Sequence, residues 1–232
     1  MTTNTSIPTL DKTQMIPAYV AKPAGAPRGA IIVIQEIFGV NSGIRQKADD
    51  WAALGYLAVA PDVFWRQQPG IELNPDVPEE FKQAIGYMMQ HDFDLGIRDV
   101  EAVIHWIRRE AGVPKVGLVG FCMGGKVAYQ AACRTDLDAA VSYYGVGIDQ
   151  MLGESHAIAK ALMLHIPTAD GFVPPEAQKA IHAGLDDNKH ITLHDYEGLD
   201  HGFADTFGKR RDVAGAKLAD ERTAAFFAVQ LG

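Results

Sequence analysis

Lys115-Val116-Gly117-Leu118-Val119-Gly120-Phe121-Cys122-Met123-Gly124-Gly125 reads as a short apolar strand, a turn crowded with glycine, and a helix that starts near Gly125-Lys126-Val127. The turn has the form Gly-x-Cys-x-Gly, a nucleophile elbow with sulfur where Gly-x-Ser-x-Gly carries oxygen. A nucleophile on a tight strand-to-helix turn holds a strained backbone, and flanking side chains would clash with it. The following helix points its N-terminus at the sulfur, and its partial positive charge favours a thiolate. The N–H of Met123, just after the nucleophile, is placed to donate to an oxyanion. The same residues admit a second reading. Buried cysteine is common as a small hydrophobe, and glycine-rich turns join strands to helices in α/β folds without catalysis. An acid and a histidine in the right order must decide between them.

The pattern extends outward in both directions. Residues before about Thr13 read as a polar lead-in, and Met15 to Val20 as an edge strand. Ala30 to Gln35 is a continuous apolar run of the kind buried on both sheet faces. Glu36 follows it, then a helix capped near Asn41 or Ser42 and running to about Leu54, then a strand over Gly55 to Asp62. Strand, helix, strand is the signature of a parallel sheet. Phe64 to Val77 reads as a long surface excursion, and Pro78-Glu79-Glu80 opens a helix. In the next helix, about Leu95 to Glu110, Val100, Val103, Ile104 and Ile107 fall on one face. Strands follow over Asp138 to Gly145, Ala161 to Ile166 and Ile191 to Tyr196, with a helix from Pro174 to about Leu185. A last helix runs from about Asp212 to Leu231, with Leu218, Ala225, Phe226 and Val229 read as its inward face. The fold expected is α/β: a single domain over residues 1–232, with a mostly parallel doubly wound sheet and helices on both faces.

Composition narrows the function. The formal net charge is −8 and apolar residues make up 47% of the chain, which suits a soluble protein with a large core and argues against nucleic acid or anionic membrane as partners. Two cysteines, Cys122 and Cys133, form no disulfide framework, and Cys133 reads as packing. Met1 to Ser6 lacks the basic and apolar regions of a secretory signal, and no apolar run is long enough to span a bilayer. A cytoplasmic location is the expectation, and a monomer the expected state.

In open parallel sheets, sites form beyond the carboxyl ends of strands. Four polar residues stand there: Glu36, Cys122, Asp170 and His201. Asp170 lies in a Gly/Pro turn, where aspartate often bonds only its own backbone. Of eight histidines, only His201 follows the last strand. The order nucleophile, acid, histidine is that of the Ser-Asp-His hydrolases. Cys122 then attacks a carbonyl to give a thioester, His201 moves the proton, and Asp170 fixes the histidine tautomer. Ile37, after the Ile31–Gln35 strand, is the candidate for the second oxyanion donor.

Gln35-Glu36-Ile37-Phe38-Gly39-Val40, Gly117 to Gly125, Tyr143-Tyr144-Gly145-Val146-Gly147, Asp170 with Val173-Pro174, and His201-Gly202-Phe203 together resemble the dienelactone hydrolase family, over nearly the whole chain. The resemblance implies an α/β-hydrolase fold and a Cys-Asp-His triad acting on lactones or esters, as in aromatic degradation, with no metal and no cofactor. It also implies that Glu36 pairs with the resting thiol and takes its proton when substrate binds; from the residues alone Glu36 is equally a structural carboxylate. An acyltransferase sharing the thioester, or a non-catalytic ligand-binding protein on the same fold, are the competing classes. The chain departs from the family at the two arginines that hold a substrate carboxylate, where Phe81 and Asp205 stand. Phe81 and Asp205 are therefore expected substrate-binding residues, and the resemblance adds Phe38, Tyr144 and Phe203 from its motifs. A neutral or cationic substrate is expected to replace the anionic one, unless Lys82 or Arg66 supplies another cation.

Overall fold

The computed structural model describes residues 3–232. Among these residues eight strands form one sheet: β1 (Thr5–Pro8), β2 (Met15–Ala21), β3 (Ala30–Ile34), β4 (Leu57–Pro61), β5 (Val116–Phe121), β6 (Ala139–Tyr143), β7 (Ala161–Pro167) and β8 (Ile191–Tyr196). Among the described residues six α-helices accompany them, α1 (Ser42–Ala53), α2 (Pro78–Gln90), α3 (Phe93–Arg109), α4 (Met123–Arg134), α5 (Pro175–Leu185) and α6 (Val213–Leu231), with one 3-10 helix at Asp149–Ala157. The spatial order is β1-β2-β4-β3-β5-β6-β7-β8. Every pairing from β4 through β8 is parallel, and β1 and β2 add an antiparallel edge.

Strand periodicity divides the core. Ile31 and Val33 face the side covered by α1 and α6, while Ala30, Ile32 and Ile34 face the side covered by α3 and α4. Residues two apart share a face, so a strand apolar at every position serves two cores. The buried stripe of α3 holds Val100, Val103, Ile104 and Ile107, as its spacing requires. Asn41 caps α1 by accepting the N–H of Ile44 at 3.1 Å.

Four local expectations need correction. The lead-in contains a strand: Ile7 pairs opposite Ile16 and is fully buried, so β1 rather than β2 is the edge. Its short sequence carries one buried apolar residue and gains its pairing only from β2; Met1 and Thr2 of that stretch lie outside the described residues. Helix α4 starts at Met123, because a single residue of positive φ, Cys122, makes the whole turn. The Phe64–Val77 excursion folds back on the body: Phe64 and Ile71 are buried, and Asp62 accepts the N–H groups of Phe64 and Gly70 at 3.0 and 2.8 Å. In α6 the inward face is Ala216, Ala219, Thr223, Phe227 and Leu231, while Leu218 and Val229 are 44% and 80% exposed. Small residues let this helix sit close to the sheet. Thr223 then bonds Tyr143 and His165 at 2.7 and 2.9 Å, contacts that helical periodicity alone does not reveal.

Candidate active site

Cys122 sits at φ 56°, ψ −115°, outside the regions a side chain adopts freely. Such a residue costs about 1–3 kcal/mol and persists only where its surroundings over-determine it. Here they do. The Cys122 N–H donates to the Tyr143 carbonyl at 3.0 Å, and its own carbonyl accepts from Gly125 at 2.9 Å. A Cβ on Gly120 would lie 1.9 Å from the Gly124 carbonyl oxygen, and one on Gly124 would lie 2.6 Å from those of Ile34 and Gln35. The elbow is thus closed by backbone on both sides.

Asp170 and His201 meet beside it. Asp170 Oδ1 accepts the N–H groups of Phe172 and Val173 at 2.7 and 3.2 Å, which fixes the carboxylate in its turn. Its Oδ2 is left for His201 Nδ1, at 2.8 Å, and both side chains are buried. The local turn and the histidine contact are therefore compatible uses of one carboxylate. Asp200 ties the two loops together by accepting N–H groups from Gly171 and His201 at 3.3 and 2.7 Å. Tyr144 packs its ring edge-on to His201 at 5.0 Å between centroids.

Cys122, His201, Glu36 and Ile37 line one cavity of about 430 Å³. Phe38, Phe81, Ile85, Met88 and Phe93 form its apolar wall, with Phe38 and Phe81 in ring contact at 5.8 Å. The Met123 side chain is fully buried, and its N–H opens helix α4 directly after Cys122. Three expected lining residues lie elsewhere. Phe203 is buried against Tyr144 and Tyr196, at 5.7 and 4.8 Å. Tyr144 and Asp205 face a second, polar cavity of about 330 Å³ and bond each other, Tyr144 Oη donating to Asp205 Oδ1 at 3.0 Å. The positive φ at Gly202 turns the chain after His201, so Asp205 passes behind Glu36 instead of facing the catalytic cavity.

The cavity is not short of cations. Arg210 lies over the rings of Phe81 and Phe172, at 5.5 and 5.8 Å, and Lys126 over Phe93 at 4.0 Å. Among the described residues neither makes an ion pair. Arg66 is committed to Asp99, and Lys82 is exposed away from the cavity. Lys126 was legible in principle, one helical turn after Cys122 on the elbow helix. Arg210 had only a basic run in the last loop to signal it.

Electrostatics correct the thiolate expectation. Burial pushes the Cys122 thiol well up, the Glu36 charge adds to this, and the Met123 N–H opposes both. Burial also raises the Glu36 carboxyl well above its usual range, with Asp205 adding by repulsion and hydrogen bonding while Lys47 and Arg210 pull it down. In the resting site the helix N-terminus is outweighed, and the sulfur is a thiol. An arrangement of this kind holds a neutral nucleophile, a carboxyl beside it and an oriented imidazole in one apolar cavity. That set suits acyl transfer from an ester to sulfur and on to water.

The dienelactone hydrolase family model matches residues 16–231. A Pseudomonas putida carboxymethylenebutenolidase is 37% identical over 212 residues, covering 91% of this chain and 90% of its own. An Azospirillum brasilense protein that bears the same enzyme name provisionally is 43% identical over 216 residues, covering 93% and 94%. A crystal structure from Klebsiella pneumoniae, provisionally named a dienelactone hydrolase, superposes with TM-score 0.83 at 27% identity and covers 97% of this chain and 96% of that one.

Proposed function

The chain belongs to the dienelactone hydrolase family of α/β-hydrolases, and we propose that it cleaves a lactone or carboxylic ester through a thioester on Cys122. The observation that carries this reading is the buried Asp170–His201 pair, 2.8 Å apart, whose histidine lines the cavity that Cys122 also lines. Glu36 takes the thiol proton, and the thiolate attacks the ester carbonyl. The N–H groups of Met123 and Ile37 receive the oxyanion. The proton on Glu36 passes on to His201, which delivers it to the leaving oxygen, then takes one from the water that releases the acid and returns it to the departing sulfur. Asp170 holds the ring in the required tautomer and balances its charge.

The substrate has an apolar body that fills the wall of Phe38, Phe81, Ile85, Met88 and Phe93. The expected preference for neutral substrates is revised. Its premise was Phe81 and Asp205 in place of two arginines; Phe81 does line the cavity, but Asp205 does not, and the cavity carries Arg210 and Lys126. An ester bearing an acidic group therefore finds a cation, though not at the two positions the family resemblance pointed to. The protein is read as acting in the cytoplasm. The test is a panel of lactones and aryl esters, with mass spectrometry of the quenched enzyme. A covalent acyl adduct on Cys122, and its absence in Cys122→Ala together with lost turnover, support the reading. Full turnover by Cys122→Ala overturns it.

A further inference from the structure

We propose that Glu36 and Asp205 share a single proton in the resting protein, and that Asp205 is the positioning residue that decides when Glu36 is free to act on Cys122. The inference rests on the reading of Glu36 as the base for the thiol.

Three observations carry it. First, the two side chains line one polar cavity and lie within hydrogen-bonding reach of each other. Two carboxylates have only acceptor oxygens, so a hydrogen bond between them requires a proton on one. Second, Asp205 is 9% exposed and is already fixed by the Tyr144 hydroxyl at 3.0 Å, so it has little freedom to swing away from Glu36. Third, the charges around the pair do not neutralise two anions. Among the described residues, Lys47 is the one cation lining the polar cavity with Glu36 and Asp205. Its ammonium also donates to the Ala204 carbonyl at 2.9 Å and lies over the Phe121 ring at 4.4 Å. One ammonium balances one carboxylate, and the second carboxyl keeps its proton.

Among the described residues, the remaining groups around the pair supply no second cation inside the cavity: Glu72, Asp76 and Glu80 also line it and add negative charge, with Glu72 paired to Arg45 at 2.9 Å. Arg210, from the same loop as Asp205, is exposed at the cavity mouth and screened by water. Arg211 donates to the backbone carbonyl of Asp205 at 2.6 Å, not to its carboxyl. His201 is held by Asp170, and the Tyr144 phenol is pushed well up by burial, with Asp205 and Glu36 adding, so it remains a donor. Cys122 faces Glu36 from the catalytic side. Lys47 itself is pushed down by burial and held up by Asp220, Asp205 and Glu36.

Glu36 lines both cavities. That position gives the shared proton a route out through the polar side while the thiol stays on the apolar side. While the proton is shared, Glu36 is occupied by Asp205. Once it leaves to solvent, Glu36 is a carboxylate facing the thiol. The Cys122 S–H bond then breaks, an O–H bond forms on Glu36, and the sulfur keeps the electron pair with which it attacks the carbonyl carbon. Nothing is oxidised or reduced. The sign follows: activation rises with pH through the loss of the shared proton. Replacing Asp205 by asparagine removes one anion and supplies an N–H donor, so Glu36 ionises at lower pH.

The experiment needs no substrate. Carboxyl carbons of Glu36 and Asp205 are followed by ¹³C NMR against pH in wild type and Asp205→Asn, alongside the rate of Cys122 alkylation by iodoacetamide. In wild type both signals are expected to move together in two steps, the upper one displaced above the usual carboxylate range. In Asp205→Asn, Glu36 is expected to titrate in one step, and the acid limb of alkylation to move down by about one pH unit or more. Independent titration of the two carboxyls in the ordinary range of wild type overturns the inference, even if the variant does not fold. So does a Glu36 titration that Asp205→Asn leaves in place. Hydrolysis is judged separately by Cys122→Ala, so a failed coupling and a failed hydrolase reading are distinguishable.

Discussion

The two walls of the catalytic cavity are built on opposite terms. The Cys122 wall is backbone against backbone. Gly124 fits between carbonyl oxygens of Ile34 and Gln35, and Cys122 is pinned in a strained conformation by the next strand. The facing wall, α2, has one fully buried residue, Ala84, and offers half-buried Phe81, Ile85 and Met88 to the cavity. Gly86 in that helix has no atom within 4 Å of where a Cβ would stand. The comparison teaches a division of labour. Cys122 is held by close backbone packing where β5 meets α4, and the apolar surface opposite it rests on a helix with one fully buried residue.

The largest expected effects lie on the fixed wall. Cys122→Ala and His201→Ala should each lose about 10³ or more in kcat, measured on the best ester of a panel. Asp170→Asn should lose less than His201→Ala, because it disturbs the tautomer and leaves the base. Cys133→Ala should keep near-wild-type turnover. Its thiol is pushed up to about 11 by burial, first of all, and then by Glu154. An equal loss in Cys133→Ala would remove the distinction between the two cysteines.

Glu36→Gln is next in size. Single-turnover thioester formation should slow while deacylation is unchanged, a split that rapid-quench measurements resolve. Unchanged acylation would make Glu36 a structural carboxylate, and the raised thiol would need another base.

Glycine-to-alanine changes test the walls directly. Gly124→Ala should cost about 1–3 kcal/mol or more of stability in urea unfolding, since its neighbours are backbone and do not yield. Gly86→Ala, in the open helix, should stabilise by up to about 1 kcal/mol. Equal effects at both positions would abolish the contrast between the walls.

The smallest effects belong to the cavity's apolar side and its charge. Phe81→Ala should raise KM more than it lowers kcat, by about tenfold, because it removes binding area without touching a reacting group. Arg210→Glu should lower kcat/KM for a free-acid ester relative to its methyl ester by about tenfold, a modest figure because the guanidinium is exposed at the mouth. A ratio that does not move would place the substrate anion at Lys126 or nowhere.

The placing of Cys122, Asp170 and His201 was legible because its signals are local. The glycines around Cys122, the Gly/Pro turn at Asp170 and the loop after the last strand each sit beside the element that positions them. The order of the three along the chain then joined them. The lining of the cavities was less legible. Asp205 follows His201 by four residues, yet the turn at Gly202 directs it to a different cavity, and Arg210 returns from further along the same loop.

By itself the sequence determined the parallel sheet, the elbow, the buried face of α3 and the cap of α1. Each depends on side-chain periodicity or on a steric need confined to a few neighbouring residues. Tertiary structure decided the rest: β1 paired with β2, α6 turned its Ala216–Phe227 face inward, and the sulfur stayed a thiol despite the helix N-terminus beneath it. It also set Asp205 against Glu36. These outcomes depend on which distant groups pack together and how far water is excluded from them, and both are properties of the folded chain.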